Sequence, residues 1–503
     1  MANTLRISGL ASGMDIDKIV SDLMKVERAP LDKLKQKKQL LEWQRDDYRS
    51  MNTLLQGLDD YLFSNVTLQS GMMKKTVSSS NEGVITATAG SSAANVATTI
   101  QVNRVATSAV WLSDAATRVD KATFSVAADV TLTINVTNGD GSTKQAAITV
   151  KQGTTLDGVI AQLNNNADLG VSAFYDEQTG RISIMKKDTG AQASLVLADA
   201  ATVNFFRNLG FTQLTADQAN QELTGKTAGT DADITINGLQ TTRSSNTFTI
   251  NGVTYTVKGT GTATVSVATD VDAMFNAIKG FVDKYNETID KINAKLKEER
   301  YRDYPPLTDE QKEAMTEKQI ELWEEKAKSG MLRGDSILSS ALSKMRMNVY
   351  IKVEGANIPS GFSQLAQMGI TTSSNYLDGG KLIIDETKLR EKIKENPDAV
   401  YQLFNQNGAT DAEKGIARRL RDTIKETIGK IEQKAGKTIW TNQQFAIGRD
   451  LIQINDQIDR FQDRLKQIED RYYRQFTAME EAIQRANQQS MYLMNAFGGG
   501  MQR

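Results

Sequence analysis

Between residues 447 and 472 the side chains Ile447, Leu451, Ile454, Ile458, Phe461, Leu465, Ile468 and Tyr472 alternate steps of four and three without a break. An apolar repeat of this length, running past three heptads, is the pattern of a helix that buries one seam against another helix. Met479, Ala486 and Leu493 continue one of the two positions, while Gln475 and Gln489 weaken the other. A helix over residues 439–497 would be roughly 90 Å long at 1.5 Å per residue. No small globular domain can cover such a rod, so the chain needs a second long helix or a neighbouring molecule to pair with it. Gly498-Gly499-Gly500 then reads as a flexible tail.

The other end of the chain supplies a partner. Residues 15–76 read as helical, with Asp15 able to cap a helix whose Ile16, Ile19, Val20 and Leu23 share one face. Pro30 is expected to kink the helix or restart it. Beyond it Leu34, Leu41, Tyr48, Leu55 and Leu62 recur every seventh residue. Met51 and Leu58 fill the complementary positions, which the first half leaves polar. An amphipathic helix lying on a core gives a similar pattern, but the seven-residue recurrence favours a helix–helix seam. These seven residues and the eight from Ile447 to Tyr472 are the candidate assembly residues.

Between the two ends the character changes twice. Residues 77–271 are rich in Thr, Ala, Val, Ser, Asn and Gly. Leu132-Thr133-Ile134-Asn135-Val136, a turn at Asn138-Gly139-Asp140-Gly141, and Ile148-Thr149-Val150 read as a β-hairpin. Phe248-Thr249-Ile250-Asn251-Gly252-Val253-Thr254-Tyr255 reads as another, and Thr235-Ile236-Asn237-Gly238-Leu239 echoes it. One helix, carrying Leu156, Val159, Ile160 and Leu163, interrupts the strands. From 273 to 403 helices return, with Phe275, Ile278, Val282, Tyr285, Ile289 and Ile292 at helical spacing. A charged helix is expected over 308–328 and a short strand at Lys381-Leu382-Ile383-Ile384-Asp385. The expected fold is α+β and multidomain: terminal helices forming a coiled-coil stalk, a mixed helical middle domain, and an inserted β-rich head of two small domains.

Chemistry is hard to place on this chain. It has 0 Cys and 0 His, which removes thiol nucleophiles, Ser-His triads and imidazole acid–base work together. Gly259-Thr260-Gly261 lacks the third glycine and the helix of a dinucleotide loop. Asn138-Gly139-Asp140-Gly141 lacks the ligand spacing of a calcium loop. Glu298-Glu299 and Glu324-Glu325 read as solvated helix faces, as does the basic run Lys33, Lys35, Lys37 and Lys38. A net charge of −1 gives no footprint for nucleic acid or an acidic membrane. No cofactor, no metal and no enzymatic activity are expected. The first ten residues lack the charged start and apolar run of a secretory signal peptide, and no stretch nears the ~18 apolar residues of a membrane span.

Several stretches, in order, resemble the flagellar filament-cap family, the type-two hook-associated proteins. Ile7-Ser8-Gly9-Leu10-Ala11-Ser12-Gly13-Met14-Asp15 is similar to the family's opening signature, and Glu27-Arg28-Ala29-Pro30-Leu31 follows it as there. Residues 148–197 resemble the small module shared by flagellins and hook-associated proteins, with Gly153-Thr154-Thr155-Leu156, Gly170-Val171-Ser172-Ala173 and Thr189-Gly190. Gly330-Met331-Leu332-Arg333-Gly334-Asp335, Gly369-Ile370-Thr371 and Asn396-Pro397-Asp398-Ala399-Val400 match the family's C-terminal region.

The resemblance implies a secreted structural protein at the distal end of the flagellum, exported by the flagellar type III apparatus without a cleavable signal. Its implied partners are further copies of itself in a ring, flagellin at the filament tip, an export chaperone at the C-terminal helix, and host or surface ligands. A flagellin-like or hook–filament junction component, or a surface adhesin, is the alternative. The implied layout has residues 1–45 and 436–503 as the leg, flexible in the free protein, and 46–76 with 272–435 as the helical middle domain. Residues 77–107 with 232–271 make one head domain, and 108–231 the outer one.

Overall fold

The computed structural model describes residues 13–355 and 358–498. Residues 7–12 of the opening signature and the glycines 499 and 500 lie outside the described residues. The chain gathers into two compact units, Gln69–Met274 and the flanking residues up to Leu68 and from Phe275 onward.

Helix α1 (Ile16–Tyr61) starts where Asp15 Oδ1 accepts from the Lys18 amide at 3.0 Å, a side-chain cap on an otherwise orphaned donor. Contrary to the expectation of a restart, α1 runs through Pro30. A proline deletes the hydrogen bond to the carbonyl four residues back, which is that of Val26. The Val26 side chain is 75% exposed, so this carbonyl lies on the side of the helix where water can replace the lost amide. A π-helical turn, Leu62–Thr67, and the short α2 (Gln69–Met72) end the run. Residues 75 and 76 are not helical, because β1 (Lys75–Ser79) has already begun.

The unit Gln69–Met274 holds two cores. In chain order it continues with β2 (Ile85–Ala89), β3 (Ala97–Arg104), β4 (Val110–Leu112), β5 (Val130–Thr137), β6 (Thr143–Val150) and α3 (Leu156–Asn165). Then follow β7 (Val171–Asp176), β8 (Arg181–Lys186), β9 (Ser194–Leu197), α4 (Ala200–Asn208), β10 (Gln221–Glu222) and β11 (Lys226–Thr227). The last strands are β12 (Ala232–Ile236), β13 (Leu239–Arg243), β14 (Thr247–Ile250), β15 (Val253–Val257) and β16 (Gly261–Thr269).

The first core lies between the sheets β1-β16-β3-β12-β13 and β14-β15-β2 and is built from Ile85, Ile100, Val102, Ile234, Val253, Tyr255 and Val265. Strict alternation puts Thr98, Ile100 and Val102 of β3 inward and their neighbours outward. The second core is closed by the sheets β10-β9-β5-β6 and β11-β4-β8-β7 with α3 and α4, around Trp111, Leu132, Ile134, Phe206 and Phe211.

The three hairpins read from the sequence are present. In β12–β13 and β14–β15 the pairs Ile236↔Leu239 and Ile250↔Val253 close two-residue turns. Asn237 and Gly238 have φ of 47° and 89°, and Asn251 and Gly252 have 49° and 79°. Positive φ at both central residues is the turn whose twist matches the strands, and Asn-Gly tolerates it best. Between β1 and β16 the expected single helix is two. In α4, Asp199 Oδ1 caps the Thr202 amide at 2.7 Å, and Val203, Phe205 and Phe206 are buried.

The flanking unit continues from α5 (Val271–Lys297) through α6 (Asp309–Glu313), α7 (Glu317–Lys328), α8 (Ser336–Tyr350), β17 (Ile370–Thr372) and β18 (Leu382–Ile384). It closes with α9 (Glu386–Glu395), α10 (Pro397–Asn405), α11 (Ile416–Ala435) and α12 (Ala446–Gly498). The single charged helix expected over 308–328 is broken in two, since Thr308 and Thr316 each start a helix with a capping box, to Gln311 and Gln319. Its core brings Leu55 and Leu58 of α1 and Leu62 of the π-helical turn together with buried residues of the later helices, including Tyr285, Leu420 and Ile424, and Phe281 meets Phe404 edge-on at 5.8 Å. Among the described residues the fully buried Arg419 guanidinium makes no ion pair within 4.0 Å. It donates instead to the carbonyls of Lys414, Ile351, Lys352 and Ala412 at 2.6–3.1 Å, so the loops before α11 are stitched to it.

Candidate functional site

α12 pairs with the first half of α1. The seam between them contains Ile16, Val20, Met24 and Leu31 against Ile454, Ile458, Leu465 and Ile468, all buried, with Leu34, Leu41, Phe461 and Tyr472 half-buried at its edges. The pair is antiparallel: the Tyr473 hydroxyl donates to Asp17 at 3.1 Å, while Asp32 and Trp43 share a groove with Ile458 and Gln462. A second bond, from the Tyr472 hydroxyl to Glu27 at 3.0 Å, fixes the same register. Steps of four and three on α12 keep its apolar residues on one side of the rod, as the heptad spacing requires.

Not every candidate residue falls in this seam. Tyr48, Met51, Leu55, Leu58 and Leu62 are buried, but in the second half of α1 and the π-helical turn after it, which pack on α11. Tyr48 shows the change of surroundings. Its hydroxyl donates to Asp335 at 2.5 Å, and the other oxygen of that carboxylate caps α8 at the Leu338 amide, 2.9 Å away. Burial first, and then the carboxylate, raise the Tyr48 hydroxyl well above the usual phenol range, so it remains a donor.

Ile447 and Leu451 are likewise buried outside the seam, at the foot of α12 beside Phe445. The Phe445 ring also carries the Arg49 guanidinium, 5.6 Å from its centre. One register therefore serves two environments, a coil and a globular core, because a helix keeps its apolar stripe whatever covers it.

The candidate assembly residues left Ile16, Val20, Met24 and Leu31 out of the seam. Their spacing, steps of four, four and seven, was the available signal. Ile19 and Leu23 belong to a neighbouring stripe, and Leu23 is exposed.

The segment from Glu299 to Gly330 braces the junction of coil and core. Its neck is closed by the Arg300 guanidinium on the carbonyls of Ala327 and Ser329, both at 2.9 Å. Its outer part touches α1 through polar groups: Lys35 to Asp309 at 2.8 Å, the Gln36 amide to the Pro306 carbonyl at 2.8 Å, and Lys328 over the Trp43 ring at 5.2 Å. The groove left between them, about 410 Å³, is lined by Asp32, Gln39, Trp43, Leu307 and Glu324. Burial raises the Asp32 carboxyl despite the opposing pull of Lys35.

Beyond the brace, α12 outlasts its described partner. From residue 484 to 495 every side chain is exposed, and Met491, Tyr492, Leu493 and Met494 stand 63%, 76%, 52% and 73% open to solvent. Four consecutive large apolar residues in water make a candidate packing surface. Among the described residues no group of three or more His, Cys, Asp or Glu is placed to hold a metal ion, and no helix is long and apolar enough to cross a membrane. The geometry is that of a packing surface.

Comparison with known proteins agrees. Residues 12–109 match the family model for the flagellar hook-associated protein 2 N-terminus, and residues 229–488 that for its C-terminus. Residues 131–188 match the flagellin hook IN motif. The chain is 35% identical to flagellar hook-associated protein 2 of Halalkalibacterium halodurans, over 98% of this chain and 100% of that protein. It is 27% identical to A-type flagellar hook-associated protein 2 of Pseudomonas aeruginosa, over 97% and 96%. The solved D1-D2-D3 domains of the flagellar cap protein FliD from Escherichia coli share its fold, with a TM-score of 0.55 at 22% identity over 78% of this chain and 96% of that one. With the C-terminal family model spanning half the chain and a relative matched end to end, this chain belongs to the flagellar hook-associated protein 2 family.

Proposed function

We propose that this chain caps the distal end of the bacterial flagellar filament, as a ring of identical copies that promotes insertion and folding of exported flagellin. Members of the family are structural proteins, and the chain is not an enzyme. The paired α1 and α12 are the leg that reaches flagellin, the unit Gln69–Met274 is the head, and the helices between them carry the ring. The observation that carries this reading is the exposed apolar turn Met491–Met494, at the far end of a helix whose seam with α1 is buried as far as Ile468. A long helix with one unpaired apolar end is suited to lie against the helices of another subunit. Export through the flagellar type III apparatus, a chaperone on the C-terminal helix before export, and surface ligands on the Thr-rich head complete the proposal.

The test is a protein lacking residues 480–503, purified and supplied from outside to cells without their own cap protein. An end at 479 keeps Phe445, Ile447, Leu451 and the whole coil seam, so the folded part should melt as before. Full-length protein should restore filaments, and the truncated protein should leave flagellin unpolymerised in the medium. Restoration of full-length filaments by the truncated protein would overturn the assignment of this end as the capping contact.

A further inference from the structure

Three Asn-Gly pairs lie on the β-rich unit, and the capping reading uses none of them. Asparagine before glycine is open to attack on its side-chain amide by the following main-chain nitrogen, because glycine places no Cβ in the way. The three pairs differ in what holds those two groups.

At Asn138-Gly139 both are held. The Gly139 amide donates to Asp188 at 2.5 Å, and the Asn138 amide group donates to Ser142 at 2.9 Å. Gly139 is itself buried, with no room for a Cβ beside the Thr189 carbonyl. At Asn237-Gly238 the side-chain oxygen accepts from the Thr99 amide at 2.9 Å, and the Asn237 main-chain amide donates to the Thr99 carbonyl at 2.9 Å. The side chain cannot swing toward Gly238 without breaking its bond to β3. At Asn251-Gly252 both residues are exposed. Among the described residues neither the Asn251 side chain nor the Gly252 amide has a hydrogen-bond partner.

We propose that Asn251 is the site within the β-rich unit at which the folded protein deamidates. The Gly252 nitrogen bonds to Asn251 Cγ and the Cγ–Nδ2 bond breaks. The displaced Nδ2 leaves as ammonia with the proton from the Gly252 nitrogen, and a five-membered succinimide remains. Water opens that ring at either carbonyl, giving aspartate or isoaspartate and one added negative charge. Isoaspartate routes the main chain through Cβ and lengthens a turn that Ile250↔Val253 pairing holds to two residues. The change therefore loosens the β14–β15 hairpin, whose Phe248 and Tyr255 rings stack at 5.6 Å against the first core.

The experiment ages the full-length protein at mildly alkaline pH, folded and in urea. Digestion and mass spectrometry then follow each Asn-Gly peptide, and electron-based fragmentation separates isoaspartate from aspartate. In urea the three should convert alike. In the folded protein Asn251 should lead Asn237 and Asn138 by about fivefold for each hydrogen bond those sites must break first. Conversion of Asn237 or Asn138 as fast as Asn251 in the folded protein overturns the proposal. So does an Asn251 that converts in urea but stays intact when folded.

Discussion

Arg421 holds Asp59 with two parallel bonds, Nε to Oδ1 at 2.8 Å and a terminal nitrogen to Oδ2 at 3.2 Å, joining α11 to α1 across 362 residues of chain. Both side chains are largely buried, 17% and 7% exposed, and the Phe63 ring covers the guanidinium at 4.7 Å. A buried pair of this kind is worth little against an apolar pair of similar size, but breaking it leaves a charge with no partner. It acts chiefly as a registration pin between the first and the later helices.

The first prediction follows from that asymmetry. Asp59→Leu should destabilise the helical unit by about 3 kcal/mol, and the double change to Leu at both Asp59 and Arg421 should recover most of the loss. Hydrogen exchange of α1 and α11 peptides reads the effect, with the strands of Gln69–Met274 as an internal control. Equal losses in the single and double variants would show that the charges themselves, not their registration, hold these helices together.

Separating coil from core is a second test. Ile458→Asp with Leu465→Asp places two charges on a seam that must lose its water when the helices meet, at a cost of several kcal/mol. Exchange should quicken over residues 16–41 and 452–476 and leave α11 slow. If α11 opened as well, α12 would be an internal support of the core throughout its length, and the leg would have no separate existence.

How far these relationships could be read from sequence depends on which contacts are local. The Asn237-Gly238 and Asn251-Gly252 hairpins carry their turn chemistry in adjacent residues, and the α12 heptads need only their own spacing. The recurrence from Leu34 to Leu62 also reads correctly as a helix. What sequence cannot supply is that Leu34 and Leu41 face α12 while Tyr48 onward faces the core, since a seven-residue period is the same under either cover. Pro30 was read too strictly, because the carbonyl it orphans lies beside the solvent-exposed Val26. The break between α6 and α7 was legible, in Thr316 and Gln319 three apart, and so was α4, in Asp199 ahead of Val203, Phe205 and Phe206. Both signals were short and were outweighed by the composition around them.

Acid should erase one surface contribution before others. Hydrogen bonds from Lys344, and then from Lys430, hold the Glu426 carboxyl down at about 2 from a usual 4.5. A carboxylate whose folded value is depressed stabilises above the unfolded value and loses that contribution as pH falls from about 4.5 toward about 2. The group is 45% exposed, so solvent screening leaves at most ~1 kcal/mol. Glu426→Gln should therefore shift the urea midpoint slightly at neutral pH. The shift should shrink in strong salt and close as pH drops through that window. A difference unchanged at low pH would mean that Glu426 acts through packing rather than charge.

The last prediction concerns the inserted unit. Its two ends are already side by side: β1 and β16 pair from Lys75↔Thr269 onward, and the Asp270 amide donates to the Lys74 carbonyl at 2.9 Å. Both of its cores are closed by its own strands and helices, with Ile85, Ile100, Val265, Trp111 and Phe206 buried. A segment whose ends meet and whose apolar residues are covered from within needs no outside element to fold. Expressed alone, residues 69–274 should melt cooperatively and give the dispersed amide signals of a β-rich protein. Shortening the segment to 77–271 should cost stability, because it removes the outer pairs of β1 with β16. Those pairs join the segment's two ends, so losing them frays the sheet where it is now closed. A 69–274 protein with collapsed, undispersed signals would show that the flanking helices are needed to fold this unit.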